Sequence, residues 1–387
     1  MTLIAPVGRL FDRAARRVGY RVFPDWVLHP SQVAEIDSIG KSDTAEAVPG
    51  ADLDELRRDN PRLLELKNLY ANLDETLRTP LVWTQEAASS PALTRFRGHN
   101  MWIFQQGDPH LDQRAYLLAA YYILANDRLG LMDKLAEDGA FGAITFQVAG
   151  RRVSRDLLDS ILEIDFLDRH LHIAARPDFT ILDIGAGYGR LAHRMLTAFP
   201  SLTRYLCTDA IPESTFVCEY YLQFRGLDSK SRAVTPLEID KTLAVINVDL
   251  ALNIHSFSEC TLNAVQWWLD RLAAHEVRYF MIVPNTGNHG GQLLVNNVGA
   301  DMLPVIERSG YRLIAREPKY RDPDVQKLAL SPTWYWLFER GGGMYVRLPL
   351  RRQPDDVVIG GAPLAMRQSP VSGTYLPTGS CSSLGQF

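Results

Sequence analysis

Several things are scarce in this sequence. Four cysteines (Cys207, Cys218, Cys260 and Cys381) in 387 residues include no C-x-x-C pair. That argues against a zinc site or a disulfide framework and suits a reducing cytoplasm. No apolar run reaches the roughly 18 residues a membrane-spanning helix needs. The formal net charge is -4, so no basic excess nominates nucleic acid or another polyanion as a partner. There is no internal repeat, no heptad run and no close His/Asp cluster to argue for a metal. What is present is ordinary for a globular protein: 46% apolar and 22% charged residues, in a chain long enough for two modest domains.

The most informative stretch is Phe179 to Leu191. An apolar, strand-like run ends in Gly185-x-Gly187-x-Gly189, and a helix-like segment with Ala192, Met195, Leu196 and Phe199 on one face follows at once. A strand, a tight glycine turn and a helix N-terminus bring backbone close to a ligand. Asp183 lies two residues before the first glycine. Asp209 closes the next short strand, some twenty residues on, the distance at which an acid takes the hydroxyls of a ribose. Dinucleotide folds read G-x-G-x-x-G, with the third glycine one position later; here that glycine is missing.

Upstream, residues 1 to about 140 read as mostly helical. Val7, Leu10, Phe11, Ala14 and Val18 form an apolar stripe opposite Arg9, Arg13, Arg16 and Arg17. The stripe is not a secretory signal, because the apolar core is missing; it suits packing or partner contact. Leu63, Leu66, Tyr70, Leu73 and Leu77 share one helical face. From about 141 the pattern changes to a short strand at Ile144–Val148 and a helix for which Ser154 is the N-cap. Strands are predicted at Phe179–Ile184, Arg204–Thr208, Arg232–Val234, Val245–Ile254, Val277–Val283, Tyr311–Glu317 and Thr333–Phe338. Strand–helix alternation predicts a doubly wound, mostly parallel Rossmann-like α/β sheet. The last two strands come without a long helix between them, which predicts an antiparallel last strand. The reading is three regions: a mostly helical part (1–140) expected to cap the ligand site and shape the substrate pocket, an α/β domain (141–342) and a Pro/Gly/Ser-rich extension (343–387).

The G-x-G-x-G turn with its preceding acid resembles motif I of the class I methyltransferases, which use S-adenosylmethionine. Asp249…Asn253-x-x-Ser256-Phe257-x-Glu259 resembles a motif of the sugar O-methyltransferase family within that class. Val153-Ser154-Arg155-Asp156, Asp209…Pro212…Ser214 and Tyr220-Tyr221-Leu222 are similar to that family too. The resemblance implies a seven-stranded methyltransferase sheet, S-adenosylmethionine as cofactor and a small-molecule sugar or glycoside hydroxyl as acceptor.

Ligands of open parallel sheets bind beyond the carboxyl ends of the strands. That rule and the resemblance nominate Asp183, Gly185, Ala186, Gly187, Gly189, Asp209, Ala210, Glu238 and Asn253 for the cofactor, and Trp102 and Asn285 for the acceptor. Removing a hydroxyl proton calls for a base; the catalytic candidates are His255, His289 and Glu259. Each has a plainer reading. The histidines suit loop hydrogen bonding, and Ser256-x-x-Glu259 reads as a capping box for the helix that follows. Asp156, Asp159 and Glu163 share a helix face, which reads as a solvated one. A methyltransferase of a non-sugar natural product, a silent Rossmann scaffold and either a monomer or a homo-oligomer stay open.

Overall fold

The computed structural model describes residues 48–79, 81–84, 88–89, 91–103, 113–176, 178–287 and 289–341. The basic N-terminal stripe and the C-terminal extension lie outside the described residues. The described residues all fall within one compact unit.

The helical part contributes α1 (Pro61–Tyr70), α2 (Glu75–Arg78), α3 (Gln113–Asn126) and α4 (Leu131–Lys134). The stripe expected to run from Leu63 to Leu77 is broken at 71–74: Asn60 caps α1 and Asp74 caps α2, each accepting from a backbone N–H two residues on. Strands β1 (Thr145–Val148) and β2 (Arg151–Ser154) then form an antiparallel hairpin. Its turn residues, Ala149 and Gly150, both have positive φ, as a two-residue hairpin requires.

Next comes α5 (Arg155–Leu171), with Ser154 as the expected N-cap: its Oγ accepts from Leu157 N at 3.1 Å. The sheet and its helices follow as β3 (Thr180–Ile184), α6 (Arg190–Ala198), β4 (Arg204–Thr208), α7 (Pro212–Phe224), β5 (Ser231–Ala233) and α8 (Ile239–Leu243). The chain continues through β6 (Leu250–Ile254), α9 (Leu262–Ala274), β7 (Tyr279–Val283), α10 (Leu303–Arg308), β8 (Tyr311–Pro318), α11 (Pro323–Leu328) and β9 (Trp334–Arg340). Residues Val245 to Asp249, expected as strand, precede β6 instead.

The seven strands are ordered β5-β4-β3-β6-β7-β9-β8. All neighbours pair in parallel except that β9 runs antiparallel to both β7 and β8. This is the Rossmann-like sheet with an antiparallel last strand that the alternation predicts. Both faces are covered, so β3 is buried throughout. Ile181 joins one core with Leu157, Leu191 and Met195, while Leu182 and Ile184 join another with Val265, Leu269 and Ile306. A third core packs α1 on α7 through Leu63, Leu66, Phe216 and Val217 and takes in Phe96, Phe141, Tyr188 and Tyr221. Among the described residues no helix is long and apolar enough to cross a membrane.

Candidate active site

The glycine turn leaves β3 with positive φ at Gly185, Gly187 and Gly189. Gly185 N and Ala186 N both donate to Thr208 O, at 2.8 and 3.1 Å, tying the turn to the end of β4. A Cβ on Gly185 would lie 2.0 Å from Ser256 Oγ, so both backbone and space demand glycine there. Gly187 lies under the Trp102 ring. Gly189 opens α6 against Cys218 and Leu222 of α7, so its role is packing.

Beyond the turn is a cavity of about 560 Å³, within the usual range for small-molecule sites. Gly185, Asp209, Ala210, Ser256 and Phe257 border it from the sheet side. Tyr70, Leu73, Leu77 and Trp83 border it from the helical part. The first helices are therefore a wall of the cavity.

Asp209 presents a carboxylate to this space. Its Oδ2 accepts from Gly187 N at 3.1 Å and its Oδ1 from Ile211 N at 2.9 Å. One donor on each oxygen leaves a lone pair on each for a ligand. Burial pushes this carboxyl up to about 7. The Tyr70 hydroxyl donates to Asp209 O at 3.0 Å and is 2.6 Å from Thr215 Oγ1, which fixes α1 to the start of α7.

Other expected residues lie elsewhere. Asp183 is buried on the opposite face of the sheet, accepting from Tyr205 Oη at 3.0 Å, and does not border the cavity; burial pushes it up to about 7. Asn253 is fully buried and already engaged by protein groups. Its Nδ2 donates to Ile184 O (2.9 Å) and Ser256 Oγ (2.6 Å), and its Oδ1 accepts from Phe257 N (2.9 Å). It braces the β3 and β6 ends and does not border the cavity. Glu238 is exposed, takes Thr235 Oγ1 at 3.2 Å and stands away from the cavity. Asp249 lies at the far end of the sheet, accepting from Thr180 N at 2.9 Å.

Of the catalytic candidates, only Glu259 borders the cavity. Its Oε2 accepts from Trp83 Nε1 at 2.6 Å and its Oε1 from Asn285 Nδ2 at 3.4 Å. The capping-box reading does not hold: Thr261 is the N-cap of α9, its Oγ1 accepting from Ala264 N, and Ser256–Glu259 is a short 3-10 turn ahead of it. His255 takes φ 71 at the end of β6, a costly conformation for a residue other than glycine. Burial, reinforced by Arg155, pushes it down to about 3, and its Nδ1 has no partner among the described residues. His289 accepts from Leu293 N at 3.4 Å and does not border the cavity. Trp102 donates Nε1 to Ser214 Oγ at 3.1 Å and covers the glycine turn, not an acceptor space.

The acids of α5 overturn the solvated-face reading, since Asp156, Asp159 and Glu163 are all buried. Asp156 takes Arg97 Nη2 at 2.9 Å, Arg194 Nε at 2.8 Å and the hydroxyl of Tyr188 at 2.6 Å. Glu137 takes Arg97 Nη2 at 2.7 Å and Arg194 Nη2 at 2.8 Å. Burial alone would raise both carboxyls, but the two guanidiniums hold them below the ordinary range. Asp159 pairs with Arg155 and Lys319, and Glu163 with Arg190. Tyr188 sits inside the glycine turn, so the first cluster connects that turn to Arg97 of the helical part.

No family model matches this sequence, and no curated protein matches it. Solved structures similar to it include the methyltransferase domain of bacterial CtHen1, at 16% identity over 46% of this chain and 99% of that one, with a TM-score of 0.34. Another is magnesium protoporphyrin IX methyltransferase from Synechocystis PCC 6803 with bound SAM, at 10% identity over 48% and 83%, TM-score 0.34. A third is the [4+2]-cyclase SpnF, at 11% identity over 60% and 96%, TM-score 0.36. Likeness this distant does not name a reaction or a substrate.

Proposed function

We propose that this protein is an S-adenosylmethionine-dependent methyltransferase acting on a hydroxyl of a sugar or glycoside. One observation carries the proposal: the cavity at the ends of β3, β4 and β6 combines a backbone turn that admits no Cβ at Gly185 with the free lone pairs of Asp209. That donor set fits a ribose diol beside a nucleoside held against backbone. Asp209 would take the ribose hydroxyls, Gly185 and Ala210 would lie along the nucleoside, and Phe257 and Leu77 supply apolar surface for a base. When bound, the cofactor supplies an electrophilic sulfonium methyl, so orientation and removal of one acceptor proton are what the chain must add.

The sugar assignment is supported by the motif resemblance and by Trp83 and Trp268 in the cavity wall, whose rings suit the apolar faces of a pyranose. The apolar wall of Leu73, Leu77 and Ala88 equally suits a non-sugar hydroxyl. A mass-spectrometric screen with labelled methyl donor, over sugars, glycosides and apolar alcohols, separates the two; a silent scaffold labels nothing.

The cofactor reading is tested first by thermal shift. S-adenosylhomocysteine at 100 times its Kd stabilises the protein by about 2.7 kcal/mol, and NAD does not. Asp209→Ala weakens that binding by roughly tenfold or more, the order expected for lost hydrogen bonds to a charged group. Equal binding by the variant, measured by calorimetry, disproves the ribose role.

A further inference from the structure

Three carboxylates border the cavity, and they are not equivalent. Asp209 is engaged by two backbone N–H groups. Glu213 is paired with Lys67 at 3.1 Å and Arg58 at 3.5 Å. Glu259 receives only two neutral donors, Trp83 Nε1 and Asn285 Nδ2, and no cation among the described residues lies within ion-pair distance. Each of its oxygens therefore keeps a lone pair, and no paired cation suppresses its basicity.

Its place in the sheet matters as well. Asp209 follows β4, whereas Glu259 follows β6 and is bonded to Asn285 just past β7. With the strands ordered β4-β3-β6-β7, the two acids stand at opposite sides of the glycine turn. If Asp209 marks the ribose end, Glu259 marks the end left for the acceptor.

We infer that Glu259 is the catalytic base, taking the proton of the acceptor hydroxyl, with Trp83 and Asn285 as positioning residues that hold its carboxylate. The acceptor O–H bond breaks, the proton passes to a Glu259 oxygen, and the electron pair stays on the acceptor oxygen, which becomes the nucleophile. This assignment rests on the methyl-transfer reading and replaces both histidines. His255, held near 3, is too weak a base for a hydroxyl, and neither it nor His289 borders the cavity. Burial raises Glu259, in the direction a general base needs. The other titratable groups bordering the cavity include Asp209, also raised by burial to about 7, and Cys260, whose thiol burial pushes up to about 12. Two cations border it as well, Lys67, which is paired with Glu213, and Arg78; neither lies within ion-pair distance of Glu259.

The test needs no known acceptor. Sinefungin carries an amine where the cofactor has its sulfonium methyl, and S-adenosylhomocysteine carries nothing there. A base beside the methyl position pairs with that amine, so wild type prefers sinefungin by calorimetry. Glu259→Gln lowers the preference by about tenfold or more, as loss of a charge-assisted bond requires, while leaving S-adenosylhomocysteine binding intact as proof of folding. His255→Gln leaves the preference unchanged. An unchanged preference in Glu259→Gln, or a loss confined to His255→Gln, overturns the assignment. If neither ligand binds wild type, the methyl-transfer reading fails and takes this inference with it.

Discussion

Asp183 and Asp209 flank the same glycine turn, yet they meet different surroundings. Asp209 looks into the cavity with backbone donors on both oxygens, while Asp183 is sealed on the other face with one tyrosine hydroxyl. The Asp183 carboxyl keeps its proton up to about 7 in the folded chain against an ordinary 3.8. Between those values the folded state binds more protons than the unfolded one, so stability falls as pH rises through the window and levels off above it. Asp183→Asn, which stays neutral and still offers an oxygen to Tyr205, is expected to match wild type near pH 4. By pH 8 it should gain on the order of 4 kcal/mol. Urea melts at the two pH values check this; a gain of equal size at both would show that ionisation is not the cause. The spacing from turn to strand end made the position of Asp209 beside the glycine turn legible in the sequence. The face taken by Asp183 was not, because a strand buried on both sides shows no apolar–polar alternation to reveal it.

At the scale of elements, local signals were readable where the partner lies nearby in sequence. Ser154 capping α5 and the reversed β9 are of that kind. Two elements misled. Ser256-x-x-Glu259 has the capping-box spacing, but Asn253 captures Phe257 N and forces a short turn, so the cap falls to Thr261. The acids of α5 have the spacing of a solvated face because their counter-charges, Arg97, Arg194 and Lys319, come from distant segments. Those pairs now carry a prediction. Arg97→Met leaves Glu137 and Asp156 with one guanidinium between them in the interior, and breaking such a buried set costs about 3–5 kcal/mol. Arg97→Lys recovers only part of it, since an ammonium cannot span both carboxylates as the planar fork does. Chemical denaturation of both variants checks this; a loss below about 1 kcal/mol for Arg97→Met would show the cluster to be solvated after all.

For the whole molecule, the helical part and the sheet are one structure: α1 shares a core with α7, and Tyr70 and Trp83 close the cavity. A chain starting at residue 104 would lose Arg97, Phe96 and that wall. It is expected to show no cooperative thermal transition and no binding of S-adenosylhomocysteine. A truncated chain that melts sharply and binds would mean the sheet supports the site unaided. The class of fold was legible because strand–helix alternation is a periodic signal. A capping role for the helical part was expected; which of its residues form the wall was not legible, since that depends on which side chains of separate helices meet across a space.

Tyr188 is the one side chain between Gly187 and Gly189 that reaches away from the cavity, and its hydroxyl ends on Asp156 beside Arg97. A recombination breakpoint anywhere between residues 103 and 137 would therefore separate Arg97 from the buried carboxylates of Glu137 and Asp156. Chimaeras built there should fail in the interior before any change of ligand preference can be observed. The two halves of this protein have to be inherited, or redesigned, as a pair.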